Sequence, residues 1–213
     1  MPYSTEHLPA WPASRGRQVH HDPDSEDQPM AAAAQRTDAR RNRERLLAAA
    51  QEAFTEAGPE ASLNEIARRA GVGPGTLYRH FPTRGTLLAA VLDERVERLC
   101  TTADRLLSTE PADIALADWL RAFVAHARIN QGLGSALLME AEGSLGTDCH
   151  RRIREAATAV LSSARISGTA RPDLTTDDLL QLALGVALAT PHPGQGDQAE
   201  RLLDLVLDAV CPG

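Results

Sequence analysis

The chain has no lysine: its 22 basic side chains are all arginine, set against 29 Asp and Glu in 213 residues, for a net charge of −7. Without lysine there is no Walker A phosphate loop, no Schiff-base lysine and no kinase-type phosphate lysine. Abundant Ala, Arg and Leu beside that absence fit GC-rich codon usage, so it excludes chemistries without assigning one. Strand formers are scarce too: seven aromatics, and 14 Ile and Val against 28 Leu, which predicts a mostly helical chain. The longest run without a charged residue, Leu179 to Gly196, is interrupted by Pro191, His192 and Pro193, too early for a membrane span. The N-terminal stretch MPYSTEHLPAWPAS lacks a basic region followed by an apolar one, so no signal peptide is expected and the location expected is cytoplasmic. Cys100, Cys149 and Cys211 are unclustered and read as reduced thiols, not as a disulfide framework or zinc site. No cofactor or metal is expected.

Residues 1–35 hold five prolines, the polar run HHDPDSEDQP and no 3.6-residue apolar period, the pattern of a disordered N-terminal arm. From Thr37 the pattern changes. Leu46, Ala50, Phe54 and Ala57 share one helical stripe behind a basic start of Arg40, Arg41, Arg43 and Arg45, and Gly58-Pro59 closes it. A second, short helix is capped by Ser62, carries Leu63, Ile66, Ala67 and Ala70, and ends at Gly71. After the turn Gly71-Val72-Gly73, Pro74 suits the first position of a third helix because its fixed φ and missing N–H cost nothing there. Phe81-Pro82 ends that helix. Thr83 caps a long one whose stripe runs from Leu87 to Leu106. Further helices are expected at about 112–129, 133–143, 148–167, 175–190 and 197–210, with a boundary at Gly132 to Gly134.

Two short helices joined by a glycine turn, the second opening with small residues, match a helix-turn-helix. The segment LNEIARRAGVGPGTLYRHFPTR, Leu63 to Arg84, closely resembles the DNA-binding region of TetR/AcrR-type transcriptional regulators, and the resemblance covers roughly residues 37–86. It departs from the usual pattern at Gly73, where a hydroxyl residue is common, so a backbone-only cap is expected there, and at Gly85, where an acid is common.

The residue types have physical reasons of their own. Pro74 and Gly75 open the recognition helix, and Gly75 and Thr76 are small enough for the backbone to approach base edges, where Thr76 offers a methyl and a hydroxyl. Tyr78, His80, Arg84 and Ser62 are polar tips for phosphate oxygens, and Arg40 and Arg41 reach backbone or minor groove. Leu63, Ile66, Ala67, Val72, Leu77, Phe81 and Phe54 form the mini-core. Arg43 and Arg45 read as a solvated face. Charge segregates accordingly: residues 36–84 have nine arginines against six acids, a net +3, while residues 1–35 carry −3 and residues 85–213 carry −7. Only the segment expected to meet double-stranded DNA is positive.

The resemblance implies that residues 85–213 are an all-helical domain for ligand sensing and dimerisation, making the whole chain all-α. Leu179, Leu182 and Val186, with Leu202, Leu205 and Val206, supply more apolar surface than one monomer core helix requires, which suggests the homodimer interface. Leu99, Cys100, Trp119, Phe123, His126, Leu138 and Met139 are candidates to line a cavity for a small apolar or amphipathic effector. Phe123 and Met139 at helical spacing also read as ordinary core, and His126 as a satisfied histidine. Asp177-Asp178 read as helix caps, and Cys149-His150 lacks a second ligand or an orienting base, so no enzyme is expected. The expectation is a ligand-responsive repressor of a palindromic operator. An activator, or an interaction module that keeps the helix-turn-helix as scaffold, remains open.

Overall fold

The computed structural model describes the backbone of residues 27–140 and 144–211 and the side chains of 36–130, 148–192 and 194–211. Among the described residues there are eight α-helices and no strand: α1 (Asp27–Ala57), α2 (Leu63–Arg69), α3 (Pro74–His80), α4 (Arg84–Thr109), α5 (Ala112–Glu140), α6 (Ser144–Ile166), α7 (Thr176–Ala189) and α8 (Gly196–Val210). By contacts the chain divides after Ala39, and residues 40–213 form one compact unit. No described helix is long and apolar enough to cross a membrane.

α1 begins at Asp27, well ahead of the expected start at Thr37. The tract Ala31 to Ala34 is the strongest helix former available and extends the helix back into the segment read as an arm. The rest of that arm, residues 1–26, lies outside the described residues. The next three helices follow their local signals. Ser62 Oγ accepts from the Glu65 N–H at 3.4 Å and starts α2. Gly71, at φ +65°, ends it, with its N–H on Arg68 O (3.1 Å) and Val72 N–H on Ala67 O (3.0 Å). That double bond requires a left-handed residue at this point, and glycine adopts it without steric cost. Thr83 and Thr86 cap α4 reciprocally. Leu46, Ala50, Phe54, Ile66, Ala67, Leu77, Phe81, Leu87, Leu88 and Val91 close one core over α1–α4.

The second core joins α4–α8 around Leu99, Leu106, Leu116, Trp119, Leu120, Val160, Leu161, Leu179 and Leu203. Here two expectations change. α5 runs unbroken through Gly132 and Gly134, because a glycine costs a helix only about 1 kcal/mol while neighbouring Ala and Leu favour it. α6 starts at Ser144, ahead of the expected 148. Trp119 is fully buried, gives its indole N–H to Leu99 O at 3.2 Å and stacks on Phe123 at 5.7 Å and 10°. Trp119, Phe123 and Leu99 thus belong to the packed core of this half. Cys100 is half-buried with its thiol 3.7 Å from Arg152 O. Leu138 and Met139 have side chains outside the described residues.

Ion pairs fasten the helices from outside: Arg152 on α6 to Asp93 and Glu97 on α4, Arg121 on α5 to Glu200 and Asp204 on α8, and Arg154 on α6 to Asp177 on α7. Asp178 takes part in the Thr175 capping box of α7, as its position after two threonines suggests.

His126 on α5 is the exception in this half, a partly buried imidazole whose ring nitrogens lie 3.1 Å from Asn130 Nδ2. Burial first, then the nearby Arg95 and Arg98 charges, pull its pKa from 6.5 down to about 4. The folded state thus holds His126 neutral where the unfolded chain protonates it. Stability from this residue is complete above pH 6.5 and falls between pH 6.5 and about 4, by on the order of 3 kcal/mol. Urea unfolding of wild type and His126→Gln from pH 7 to 4.5 checks this: the variant's stability should depend less on pH across that window.

Candidate nucleic-acid interface

α3 is seven residues long and needs two supports to hold its shape. At its start, Gly73 is the N-cap with no side-chain bond, its carbonyl accepting from Thr76 N at 2.9 Å. This is the backbone-only cap that the missing hydroxyl at Gly73 foretold. At its centre Leu77 is buried in the α1–α4 core, so one face of the helix is fixed inward and the opposite face is left to solvent.

That outer face consists of Gly75, Tyr78 and Arg79, all exposed, with Pro74 also exposed and Thr76 and His80 half-buried at the flanks. A Cβ added at Gly75 would meet nothing within 4 Å in this chain. The bare backbone at Gly75 is therefore not demanded by internal packing, and it leaves room for the close approach of another surface. Tyr78 is 48 % exposed despite its large ring. Arg79 was missed in the sequence reading, which followed small residues and hydroxyls. The signal was its spacing four residues after Gly75, which puts the two on the same side of a helix.

The basic residues around α3 are unequally free. Arg68 and Arg69 both bind Glu65, at 2.7 and 3.0 Å, and Arg69 also reaches Glu56 on α1 at 2.8 Å. Their hydrogen bonds hold the Glu65 carboxyl at a pKa of about 2. Arg43 lies over the Phe81 ring at 5.1 Å from its centroid, so this residue, read as merely solvated, also covers the end of α3. Arg40 pairs loosely with Glu44 at 3.6 Å, and Arg41 is exposed. Ser62 is exposed while its oxygen caps α2.

Arg84 has an internal task that the sequence did not reveal. Its Nη1 donates to Pro59 O and Ala61 O, each at 2.7 Å, and so ties the first turn of α4 to the α1–α2 connection. The guanidinium fixes where α2 begins relative to α4, in addition to any contact its remaining N–H groups make outside.

α7 and α8 form a shallow apolar groove of about 400 Å³ lined by Leu182, Gly185, Val186, Ala189, Leu202, Leu205, Val206 and Ala209. Leu182 and Leu205 stand out at 45 % and 66 % exposed. Leu179, grouped with them in the sequence reading, is fully buried in its own subunit's core and does not belong to this surface. Among the described residues no group of His, Cys, Asp and Glu could hold a metal ion, and burial raises the Cys149 thiol pKa.

Comparison with known proteins agrees with this geometry. Residues 46–91 match the family described as bacterial regulatory proteins, tetR family, and residues 110–211 match the C-terminal domain of SbtR-like transcriptional regulators. Among curated relatives, the HTH-type transcriptional repressor Rv3405c of Mycobacterium tuberculosis is 43 % identical over 95 residues, covering 44 % of this chain and 45 % of that protein. The chain thus spans under half the length of the curated relatives it matches. Solved structures cover more. The TetR transcriptional regulator SCO0520 of Streptomyces coelicolor is 41 % identical with a TM-score of 0.72, over 79 % of this chain and 98 % of that one. A TetR regulatory protein of Mycobacterium vanbaalenii is 32 % identical with a TM-score of 0.68, over 83 % and 98 %. These relatives are regulators and not enzymes, and with an outward-facing recognition helix on a three-helix unit, the chain belongs to the TetR family of helix-turn-helix DNA-binding transcriptional regulators.

Proposed function

We propose that this regulator works in the cytoplasm as a homodimeric repressor that binds a palindromic operator and leaves it when a small apolar or amphipathic effector enters the C-terminal half. The observation that carries the dimer is the α7–α8 groove. Exposed Leu182 and Leu205 line it together with small Gly185, Ala189 and Ala209, an apolar surface that a second copy of the chain could cover in a two-fold interface. A dimer also supplies the two recognition helices that read half-sites about one helical turn apart. Repression is supported by the name given to the Mycobacterium tuberculosis relative, a transcriptional repressor.

On DNA, the roles divide by geometry. Gly75, Thr76 and Arg79 face base edges, the arginine suited to a bidentate contact with guanine. Tyr78, His80, Ser62, Arg40 and Arg41 position the unit through phosphates, and Pro74 sets the start of the helix. Arg84 serves both the protein and the backbone contact, because one of its nitrogens is already committed to Pro59 and Ala61.

Three measurements test this reading. Size-exclusion chromatography with light scattering should show a wild-type dimer and a monomeric Leu205→Arg variant; a monomeric wild type overturns the dimer. Arg79→Ala should leave the unfolding midpoint unchanged and lose about 1–3 kcal/mol of discrimination at one base position. Arg84→Ala should weaken binding to all sequences alike and also lower folding stability by about 1–3 kcal/mol, whereas a pure phosphate contact would leave stability alone. Mobility shift against the promoter beside its own gene serves as the primary assay, and the absence of salt-sensitive, specific binding there would count strongly against the operator-binding reading.

A further inference from the structure

The α1–α4 core and the α4–α8 core meet at one buried charge. Arg95, on α4 between Val91 of the first core and Leu99 of the second, is only 8 % exposed. Its guanidinium gives Nη2 to Gln51 O at 3.1 Å and to Thr55 Oγ1 at 3.0 Å, both on α1, and Nη1 to Asn130 Oδ1 at 2.6 Å on α5. Asn130 in turn reaches His126, and Arg98 Nη2 binds Gln51 Oε1 at 2.6 Å. No carboxylate lies within ion-pair distance of Arg95 or Arg98 among the described residues. A buried cation is thus held by neutral acceptors alone, and each of them is indispensable to it.

Two further features make this junction a place where an arrangement is chosen. The acceptors come from opposite sides: α1 belongs to the DNA-binding unit and α5 to the C-terminal half, so the fork of one side chain spans both. In addition Gln51 Nε2 is buried with no partner. Turning its amide over would set N–H groups against Arg98, so the Arg98 bond holds the amide in this orientation. An unpaired buried donor is a standing cost, and it brings any alternative arrangement of α1 against α4 closer in energy.

We infer that Arg95 is the positioning residue that latches α1 of the DNA-binding unit to α5 of the C-terminal half, and that the operator-binding pose depends on this latch being closed. The inference rests on the chain's DNA-binding role and not on the dimer or effector proposed above. Arg95 touches no DNA in this arrangement. It acts through the angle at which α1, and with it α2 and α3, is held.

The test uses the full chain and a duplex selected from a random-sequence pool by the wild-type protein, with affinity followed by fluorescence anisotropy across several salt concentrations. Selection of a duplex at all separates failure of the latch from failure of DNA binding. Arg95→Met and Asn130→Leu should each weaken binding about tenfold, and the double variant should be no weaker than Arg95→Met alone, since both break one unit. The salt slope should stay unchanged, and amide exchange should quicken in α1 while the α6–α8 core keeps its protection. Wild-type affinity in Arg95→Met overturns the inference, as do losses that multiply in the double variant. A salt slope reduced by about one would overturn it too, by making Arg95 a phosphate contact. Should Arg95→Met fail to fold, Thr55→Val and Asn130→Leu each remove one acceptor and keep the charge. Wild-type affinity in both would equally sink the idea.

Discussion

Everything in this molecule depends on α4 being one uninterrupted helix that belongs to two cores. Leu87, Leu88 and Val91 close the core under the recognition helix, and Leu99, Ala103 and Leu106 close the core of the C-terminal half. A helix interior is stiff because each residue is fixed by its i−4 bond, so a shift at one end of α4 is felt at the other. Its N-terminus is anchored twice, by the Thr83–Thr86 capping box and by Arg84 on the α1–α2 connection. The first turn of α4 is consequently tied to α2, and α3 rides on the same core through Leu77.

The absence of lysine shapes the electrostatics as well as the chemistry. Arginine makes forked, planar contacts, and this chain uses them structurally: Arg152 bridges α6 to α4, Arg121 bridges α5 to α8, and Arg128 closes the end of α7 through Thr190 O and His192 O at 2.8 and 2.9 Å. Such surface pairs contribute little stability individually, but they consume positive charge. In the helix-turn-helix Arg68 and Arg69 are consumed in the same way by Glu65. The net +3 of residues 36–84 therefore overstates breadth and understates focus. What is left outward lies on α1, where Arg36, Arg40, Arg41, Arg43 and Arg45 are exposed, and at Arg79 on the helix face that also carries glycine and tyrosine.

How much of this was legible in the sequence depends on whether the determinant is local. The helices of the DNA-binding unit were readable because each carries its own start or stop: Ser62, Gly71, Pro74, Thr83. Their core was readable from one stripe of Leu, Ile, Ala and Phe. The C-terminal half was readable as helices but not as surfaces, since its helices are apolar on broad faces and periodicity does not say which edge of a face meets its own subunit. Leu179 and Leu182 illustrate this: three residues apart on α7, one is fully buried and the other 45 % exposed. Gly132 and Gly134 look like a break and are not one, because glycine weakens a helix without removing a donor. Arg84 and Arg95 were invisible because their partners, mostly backbone carbonyls together with the Thr55 hydroxyl and the Asn130 side chain, lie 23 to 44 residues away along the chain, where no local spacing marks them.

The two arginines also divide the labour along α4. Arg84 is part-buried near a turn, where water can replace it at the carbonyls of Pro59 and Ala61, so its loss loosens one connection. Arg95 is only 8 % exposed, and its bonds among the described residues go to Gln51, Thr55 and Asn130. Burying a guanidinium without a carboxylate is unfavourable compared with an apolar side chain of similar size, and the Leu-rich sequence around it shows that apolar residues were available. A charge kept in such a place contributes direction and not adhesion: it accepts one geometry of α1, α4 and α5 in which three acceptors converge, and penalises the neighbouring ones that hydrophobic contact alone would tolerate. The apolar cores hold the halves together, while this polar point decides how they are held.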